Sequence, residues 1–358
     1  MADINIYKTK TMLAAVKQMK PVTSFLRDRY FQSGAGDFFP TEEVLVEYKD
    51  ATTGQKMAPV VLPRKGSISV EREGYTTAKM APPLVAPSRP LTIDDLNKKG
   101  FGEDLFSDRT PAERQAEILV NDLADFDAMH TAREEYIAAQ CIFNNGYTLR
   151  QYADKYGEGE YKEFDMYFYE GEVNPAQYIP GVKWGESGSD KFADLYQMIL
   201  MLTSAGNSAT EVLLGANVAE SILDDAKFKE IMDIRNYHVG DVSPIELPQN
   251  AARLARINVR GRWLDLLTYD GTYIDEVTGK VTPYIPENKI AMTAPGAGRS
   301  LYGAVTQMEQ EDGMWHTYMG RRVPQYWADK DGRELTVSSR PLLIPKTKNP
   351  FVVAEVLD

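Results

Sequence analysis

The stretch Thr110–Gly146, TPAERQAEILVNDLADFDAMHTAREEYIAAQCIFNNG, decides the fold because it predicts one unusually long helix. Thr110 suits the N-cap, Pro111 suits the first helical position, and Glu113 closes a capping box with Thr110. Asn145 and Gly146 are residues that end helices. At ~1.5 Å per residue such a helix is ~50 Å long.

The hundred residues before this helix are rich in proline, and they alternate strand-like patches with breaks. The prolines are Pro40, Pro59, Pro63, Pro82, Pro83, Pro87 and Pro90. Proline is confined to edges and irregular parts of sheets, and two-stranded ribbons are marginally stable alone. We therefore expect a short helix near the N-terminus, then an arm and a ribbon with strands around Val44–Tyr48 and Ser67–Glu71. Both are expected to bury little within their own chain and to be stabilised by other copies.

A second unit is predicted to begin near Asp190, where helices and strands alternate. Its elements are a helix over Lys191–Thr203, a short apolar strand EVLLG, and a helix capped by Asn217 that runs to about Arg235. Strands joined by turns follow as far as Thr293. This order favours a compact α/β unit.

The last part of the chain returns to strand character, in SLYGAVTQM, GMWHTYM, RPLLIPK and NPFVVAEVLD. Apolar residues continue up to the terminus, which we therefore expect to be tied into a sheet. No stretch approaches the ~18 apolar residues of a membrane-spanning helix, so no membrane partner is predicted.

Residues that carry chemistry are scarce in this sequence. The single Cys141 excludes an internal disulfide framework, and the i, i+3 pair Asp127 and His130 is only half of a carboxylate-bridged metal pattern. We interpret His130 as a satisfied helix histidine, and the adjacent Glu134 and Glu135 as carboxylates that diverge. No catalytic, cofactor-binding or metal residue is predicted. An α/β enzyme stays a weaker alternative, since such units host active sites at strand ends.

Charge suggests contacts between subunits instead. The net charge is -12, which makes broad duplex binding by a basic surface improbable. The densest basic patch holds four arginines, of which the first three have helical spacing; nucleic-acid contact and inter-subunit salt bridges both account for it. These arginines are Arg253, Arg256, Arg260 and Arg262. The charged residues of the ribbon have two alternative interpretations: they contact a neighbouring subunit, or they form a solvated tip. The candidates for subunit contacts are Arg64, Lys65, Glu71, Arg72, Arg253 and Arg256.

The order of these elements resembles that of the major capsid proteins of tailed double-stranded DNA phages, and more narrowly the lambda-type E protein family. The pieces that carry the resemblance are FLRDRYF, TEEVLVEY, MAPPLVAP, VKWGESGSDKFADL, EVLLGANVAESILDDAKFKEIMD, YIPENKIAMT and SSRPLLIPKTKNPFVVAEV. Their order and spacing from Trp184 onward match the family's pattern.

The resemblance implies an α+β chain with the Hong Kong 97-type capsid fold. It implies an N-terminal arm over 1–40, an extended β-ribbon loop over 41–95, a peripheral domain over 96–189 with the spine helix at 110–144, an axial α/β domain over 190–293, and return strands of the peripheral domain over 294–358.

The function implied is a major capsid protein that assembles into hexamers and pentamers of an icosahedral head around the genome. Its partners would be copies of itself, separate scaffold, portal and decoration proteins, and packaged DNA in weak non-specific contact. Its place would be the virion, after assembly in the host cytoplasm. The alternative within the same fold is an encapsulin-like nanocompartment shell, which would enclose cargo enzymes.

Overall fold

The structure is a computed structural model. The residues it describes are 9–18, 24–49, 58, 60, 75–97, 110–144, 146–152, 160–168, 176–225, 228, 240–241, 245–247, 250–329, 332–347 and 349–358. The helices over these residues are α1 Thr9–Gln18, α2 Phe25–Tyr30, α3 Ile93–Asn97, α4 Pro111–Phe143, α5 Lys191–Ser204 and α6 Ala216–Asp224. None of these helices is both long and apolar enough to span a membrane.

The strands of the described residues fall into one large sheet and several small ones. They are β1 Phe31–Gln32, β2 Val44–Lys49, β3 Tyr75–Met80, β4 Ser88–Leu91, β5 Gly146–Tyr152, β6 Tyr161–Tyr167, β7 Ala176–Tyr178, β8 Glu211–Leu214, β9 Gly240–Asp241, β10 Ile245–Leu247, β11 Ala251–Val259, β12 Arg262–Tyr269, β13 Thr272–Ile274, β14 Val281–Pro283, β15 Lys289–Thr293, β16 Gly298–Tyr302, β17 Val305–Met308, β18 Trp315–Tyr318, β19 Val323–Ala328, β20 Arg333–Ser338, β21 Pro341–Pro345 and β22 Val352–Glu355. The α+β class is confirmed.

The long helix α4 is confirmed, with the start that its sequence predicts. Thr110 is the N-cap, its side chain accepts the N–H of Glu113, and the Glu113 carboxylate accepts the N–H of Thr110. Over 33 residues the helix is ~50 Å long. Gly146 then opens β5 at φ +151, where a Cβ would lie 1.8 Å from the Met166 carbonyl oxygen. Only glycine fits this close approach between strands.

The large sheet has the order β10-β11-β12-β8-β15-β22-β7, and β9 also pairs with β11. Its side chains alternate between two cores. Val212 and Leu214 of β8 pack with α5 and α6 on one face, whereas Leu213 between them joins the core around α4 on the other. Both faces of the sheet's middle are therefore buried. The C-terminus is tied into this sheet through β22, as predicted.

The remaining elements surround α4. Its C-terminal half packs with β16, β21, β5 and β6, while its N-terminal half packs with α1 and β20 through Met12, Leu119, Leu123 and Phe126. Strand β4 pairs with β20, so Ser88–Leu91 of the Pro-rich region lies in a sheet with β19 and β20. The strand predicted at Ser67–Glu71 lies outside the described residues; the partner of β2 is β3.

The prediction for α6 is wrong at its start, and the helix is interrupted at Asp225. The helix begins at Ala216, with Gly215 rather than Asn217 as its N-cap, because the Gly215 N–H donates to the Lys289 carbonyl and places the turn there. It ends at Asp224: Asp225 is extended, forms an ion pair with Lys191, and accepts the N–H of Phe228, which is helical again. Residues 226–227 and 229–235 of the predicted helix lie outside the described residues.

The expectation that the arm buries little within its own chain is wrong for its described part. Phe25, Leu26, Tyr30 and Phe31 are each at most 3% exposed, and they belong to the core that also contains the C-terminal half of α4. Val44 and Val46 of β2 are buried in the same core. The apolar residues of FLRDRYF find their partners in distant segments of the same chain, which local periodicity does not reveal.

Candidate subunit interface

Two of the six predicted contact residues lie in the described part of the chain. Arg253 and Arg256 are on β11, whereas Arg64, Lys65, Glu71 and Arg72 lie outside the described residues. The helical spacing read from Arg253, Arg256 and Arg260 is wrong, because the segment is a strand followed by a turn.

A β-bulge brings Arg253 and Arg256 together. Residues three apart on a regular strand point to opposite faces, but the register shifts between Arg253 and Ala255 and adds one residue. Nitrogen atoms of both guanidinium groups therefore lie near Asp265 Oδ1 on β12, at 3.9 Å for Arg253 and 3.6 Å for Arg256. The structure thus places the two predicted residues on one face, with a single carboxylate between them.

The tip of the β11–β12 hairpin carries two more arginines. Arg260 and Gly261 have φ of +49° and +89°, as in a type I′ turn, and the Gly261 N–H donates to Asn258 Oδ1 at 2.7 Å. The Arg260 guanidinium lies 4.4 Å from the ring centroid of Tyr196 on α5. Arg262, which follows Gly261, is exposed. The turn therefore presents guanidinium groups on a backbone of fixed shape.

Trp263 gives the hairpin tip an apolar component. The Arg256 guanidinium lies 5.6 Å from the centroid of the Trp263 ring. The side chain of Arg256 is 50% exposed and Trp263 is 40% exposed, so the stacked pair faces outward. Stacked arginine and tryptophan side chains of this kind are typical of the centres of protein interfaces.

A second group of charges is buried where helix α2 meets α4. Glu134 accepts hydrogen bonds from Arg27 Nη1 at 2.8 Å, Arg321 Nη2 at 2.9 Å and Arg322 Nη1 at 2.6 Å. Arg322 Nε also donates to Asp127 at 2.9 Å. Burial would raise the pKa of Glu134, but the guanidinium groups of Arg322, Arg321 and Arg27 hold it well below its usual range. Glu134 is therefore a buried, ionised carboxylate.

Glu135 binds the start of the arm helix. Its two carboxylate oxygens accept the backbone N–H groups of Leu26 at 2.7 Å and Arg27 at 2.9 Å. These are amides of the first turn of α2, which have no partner within the helix. Burial raises the pKa of Glu135, and the two backbone hydrogen bonds oppose that rise. The prediction that Glu134 and Glu135 diverge is wrong, because both face α2.

His130 is a satisfied buried histidine, as predicted. Its Nε2 lies 2.8 Å from the carbonyl oxygen of Val337, so in the neutral ring this nitrogen carries the proton and donates it. Burial, together with the nearby charge of Arg322, lowers the pKa of His130 to about 4. Asp127 bonds Arg322 instead of joining His130 in a ligand pair.

The arm helix also reaches the large sheet. Arg29 donates from Nε to Glu211 Oε2 at 2.7 Å and forms a second, shorter contact with Oε1. The Tyr30 hydroxyl donates to Glu211 Oε2 at 2.8 Å. Because α2 bonds α4 through Arg27 and β8 through Arg29, it fixes the large sheet to the long helix.

This buried group was not predicted from the sequence. The signal available was the pairing of charged doublets, since Glu134–Glu135 and Arg321–Arg322 are each adjacent in the sequence. The partners are 107 residues apart for Arg27 and Glu134, and 188 apart for Arg322 and Glu134. No local pattern links doublets at such separations.

Two further hairpins expose apolar side chains at their ends. Ile274 and Val281 of the β13–β14 hairpin are 70% and 69% exposed, and Val277 lies in the turn between them. Beside the β17–β18 turn, Trp315 is 72% exposed and Met314 59%. Apolar side chains that lie together on an outer surface are typical of surfaces covered by a partner.

The fold first defines a class of protein. A solved structure described as a prophage capsid protein, from Escherichia coli CFT073, matches with a TM-score of 0.61 and 18% identity over 97% of this chain and 98% of that chain. The predicted Hong Kong 97-type capsid fold is thereby confirmed. A phage-related protein from Bordetella bronchiseptica RB50 has a TM-score of 0.47 at 9% identity, covering 96% of this chain and 95% of that chain. The SrpI encapsulin complex from Synechococcus elongatus PCC 7942 has a TM-score of 0.44 at 11% identity, covering 97% of this chain and 95% of that chain.

The sequence then defines the family. The model of the family "Phage major capsid protein E" matches residues 8–356, so the chain belongs to that family. It is a phage major capsid protein, a structural protein that forms the icosahedral shell of the virion. No curated protein matches the chain.

Proposed function

We propose that this chain is the repeating subunit of the head of a tailed double-stranded DNA phage and assembles into hexamers and pentamers. The observation that carries the proposal is the family match over residues 8–356, nearly the whole chain. The protein acts by packing against copies of itself and catalyses no reaction. Assembly takes place in the host cytoplasm, on a separate scaffold protein and around a portal, and a decoration protein then binds the outer surface.

The proposed division of the chain follows the sequence. Residues 1–40 form the arm, 41–95 the extended loop, 96–189 the peripheral domain, 190–293 the axial domain and 294–358 the return strands. The packing of α5 and α6 on β8 and β11 supports a compact axial unit, and the pairing of β16 with β1 supports a return to the region of α4. Strands β22 and β7 extend the axial sheet from outside its sequence range.

The net negative charge of the subunit supports a weak contact with packaged DNA. A net charge of -12 on each subunit repels the phosphate backbone, so DNA lying against an inner wall of this composition would stay free to move. Subunits of the same charge also repel each other, and their association has to overcome that repulsion with apolar surface and local charge pairs. We therefore expect assembly to depend on ionic strength.

Electron microscopy of the purified protein tests the proposal. Closed shells, or rings with six and five subunits, are the expected result. A population that stays monomeric across protein concentration and ionic strength, also when the scaffold protein from the same genome is added, would contradict it.

Deleting residues 54–74 tests the role of the extended loop. This deletion keeps the strand pair β2–β3, whose outermost partners are Lys49 and Tyr75. We expect a folded subunit that no longer closes into shells, because the loop is proposed to lie over the neighbouring subunit. The matched control replaces Ser67 and Ser69 with alanine, keeps the length of the loop and should form normal shells. Normal shells from the deletion variant would contradict the role of the loop.

A further inference from the structure

We propose that the tip of the β11–β12 hairpin, formed by Arg256, Arg260, Arg262 and Trp263, binds an acidic surface of a neighbouring copy of this chain in the shell. The inference rests on the proposed function and adds a site and a partner to it. For brevity these four residues are called the arginine tip.

Charge is the first argument. Residues 251–265 contain four arginines and one aspartate, a net charge of +3, so the rest of the chain carries -15. The arginine tip is thus a positive island on an acidic protein. In a lattice of identical acidic subunits, docking this island on a carboxylate-rich surface of the next copy relieves repulsion that each subunit otherwise contributes.

The conformation of Arg260 is the second argument. A type I′ turn needs positive φ at both central residues, which asparagine and glycine adopt most easily. An arginine in the left-handed region costs about 1 kcal/mol or more. Turn geometry alone therefore does not account for an arginine at position 260.

The order of the side chains is the third argument. The Arg260 guanidinium is held over Tyr196 and the Arg256 guanidinium over Trp263, so two of the three positive groups have defined positions before any partner arrives. Side chains that are already ordered lose less entropy on binding. Among the described residues, neither Arg260 nor Arg262 forms an ion pair.

These features favour a protein partner over DNA. Affinity for duplex DNA grows with the number of phosphates neutralised, and three arginines on a chain of net charge -12 are few for that purpose. The outward-facing, 40% exposed Trp263 has no role on a phosphate backbone. Arginine and tryptophan together, by contrast, are the residues most enriched at the energetic centres of protein interfaces.

Zero-length cross-linking tests the partner directly. In the variant Arg262→Lys a carbodiimide can join the new amine to a carboxylate within contact distance, forming an amide while the reagent takes up the water. Shells are assembled from equal parts of ¹⁵N-labelled and unlabelled subunits, and the linked peptides are read by mass spectrometry. We expect mixed-isotope links between residue 262 and an Asp or Glu in shells, none of them in dissociated subunits, and none in Arg262→Gln shells. Links only within one subunit, or none, would overturn the inference.

Charge reversal tests the consequence for assembly. The double variant Arg260→Glu/Arg262→Glu should lower the yield of closed shells at least tenfold, with an unchanged urea midpoint for the free subunit. The control Lys162→Glu/Lys346→Glu alters the net charge equally at exposed positions outside the surfaces described above as candidates for subunit contact, and should assemble normally. If the reversed tip gives normal shells that retain less DNA, the partner is DNA and the inference is wrong. Failure of the wild-type protein to form any shell would instead contradict the proposed function.

Discussion

Two groups of arginines in this protein have opposite surroundings. Arg27, Arg321 and Arg322 converge on the buried Glu134 inside the chain, whereas Arg260 and Arg262 lie on an exposed hairpin and form no ion pair among the described residues. The first group is neutralised by its own fold. The second group keeps positive charge that is available to bind another molecule. The comparison separates residues that make the subunit from residues that join subunits.

The buried group explains why part of the arm is not an open extension. The Glu134 carboxylate is shared by three guanidinium groups, and the Glu135 carboxylate accepts the first amides of α2. Together they hold the arm helix to the long helix. A buried charge that loses its partner is costly, so these bonds depend on one another. The arm helix is therefore part of the subunit's own core.

The largest effect is expected from Glu134→Ala. Removing this carboxylate leaves Arg321 without its ion pair, and leaves Arg27 and Arg322 with only Asp28 and Asp127 as partners. Breaking a buried charge pair by removing one partner typically costs about 3 to 5 kcal/mol. Urea unfolding of dissociated subunits measures the loss, with the exposed Asn121→Ala on the same helix as the control. A loss below about 1 kcal/mol would remove the contrast between the two groups of arginines.

Acidification should weaken the same region through His130. The pKa of His130 is about 4 in the folded chain and about 6.5 in the unfolded chain. Between these two pKa values the unfolded chain binds more protons than the folded chain. The contribution of the neutral His130 to the free energy of unfolding is therefore complete above pH 6.5 and is lost as pH falls through about 4. The loss is on the order of 3 kcal/mol. Unfolding free energies across this range should show a steep slope for the wild type and a shallower one for His130→Gln; equal slopes would argue against the buried neutral histidine.

A smaller effect is expected where the arm meets the large sheet. Tyr30→Phe removes the hydroxyl that donates to Glu211 but leaves Arg29 bonded to the same carboxylate, so the expected loss is about 1 kcal/mol. The same urea measurement detects it. The double variant with Arg29→Ala should lose more than the sum of the single variants, because Glu211 then lies buried without either partner; strict additivity would show that the two contacts are independent.

The smallest effect on folding is expected at the arginine tip. Arg256→Ala should change the free energy of unfolding by less than about 0.5 kcal/mol, since the side chain is half exposed and its nearest Asp265 oxygen is 3.6 Å away. Its effect should appear in the yield of shells, scored by sedimentation. If Arg256→Ala instead destabilised the subunit and left the yield of shells from folded subunits unchanged, the comparison would be reversed.

The sequence predicted the elements whose signals are local. Thr110, Pro111 and Glu113 mark the start of α4 through a capping box, and the short apolar runs in EVLLG and NPFVVAEVLD mark strands of the large sheet. These signals lie within a few residues of the structure they specify, so they could be read without knowing the fold.

What the sequence could not predict depends on contacts between distant residues. Asp225 after α6 pairs with Lys191, a residue of α5, and the buried α2 is bonded to Glu134 and Glu135 of α4. At the candidate interface, Arg253 and Arg256 were predicted from their charge. Their common face requires a β-bulge, which shows no mark in the spacing that suggested a helix.

Hydrogen exchange on dissociated subunits and on assembled shells tests the central claim most directly. The account predicts that the amides of Leu26–Gln32 are equally protected in both forms, because the subunit's own core buries them. The amides of Asn258–Leu264 should exchange at least tenfold more slowly in the shell. The reverse pattern, with an arm helix protected only on assembly and a hairpin unaffected by it, would contradict the account.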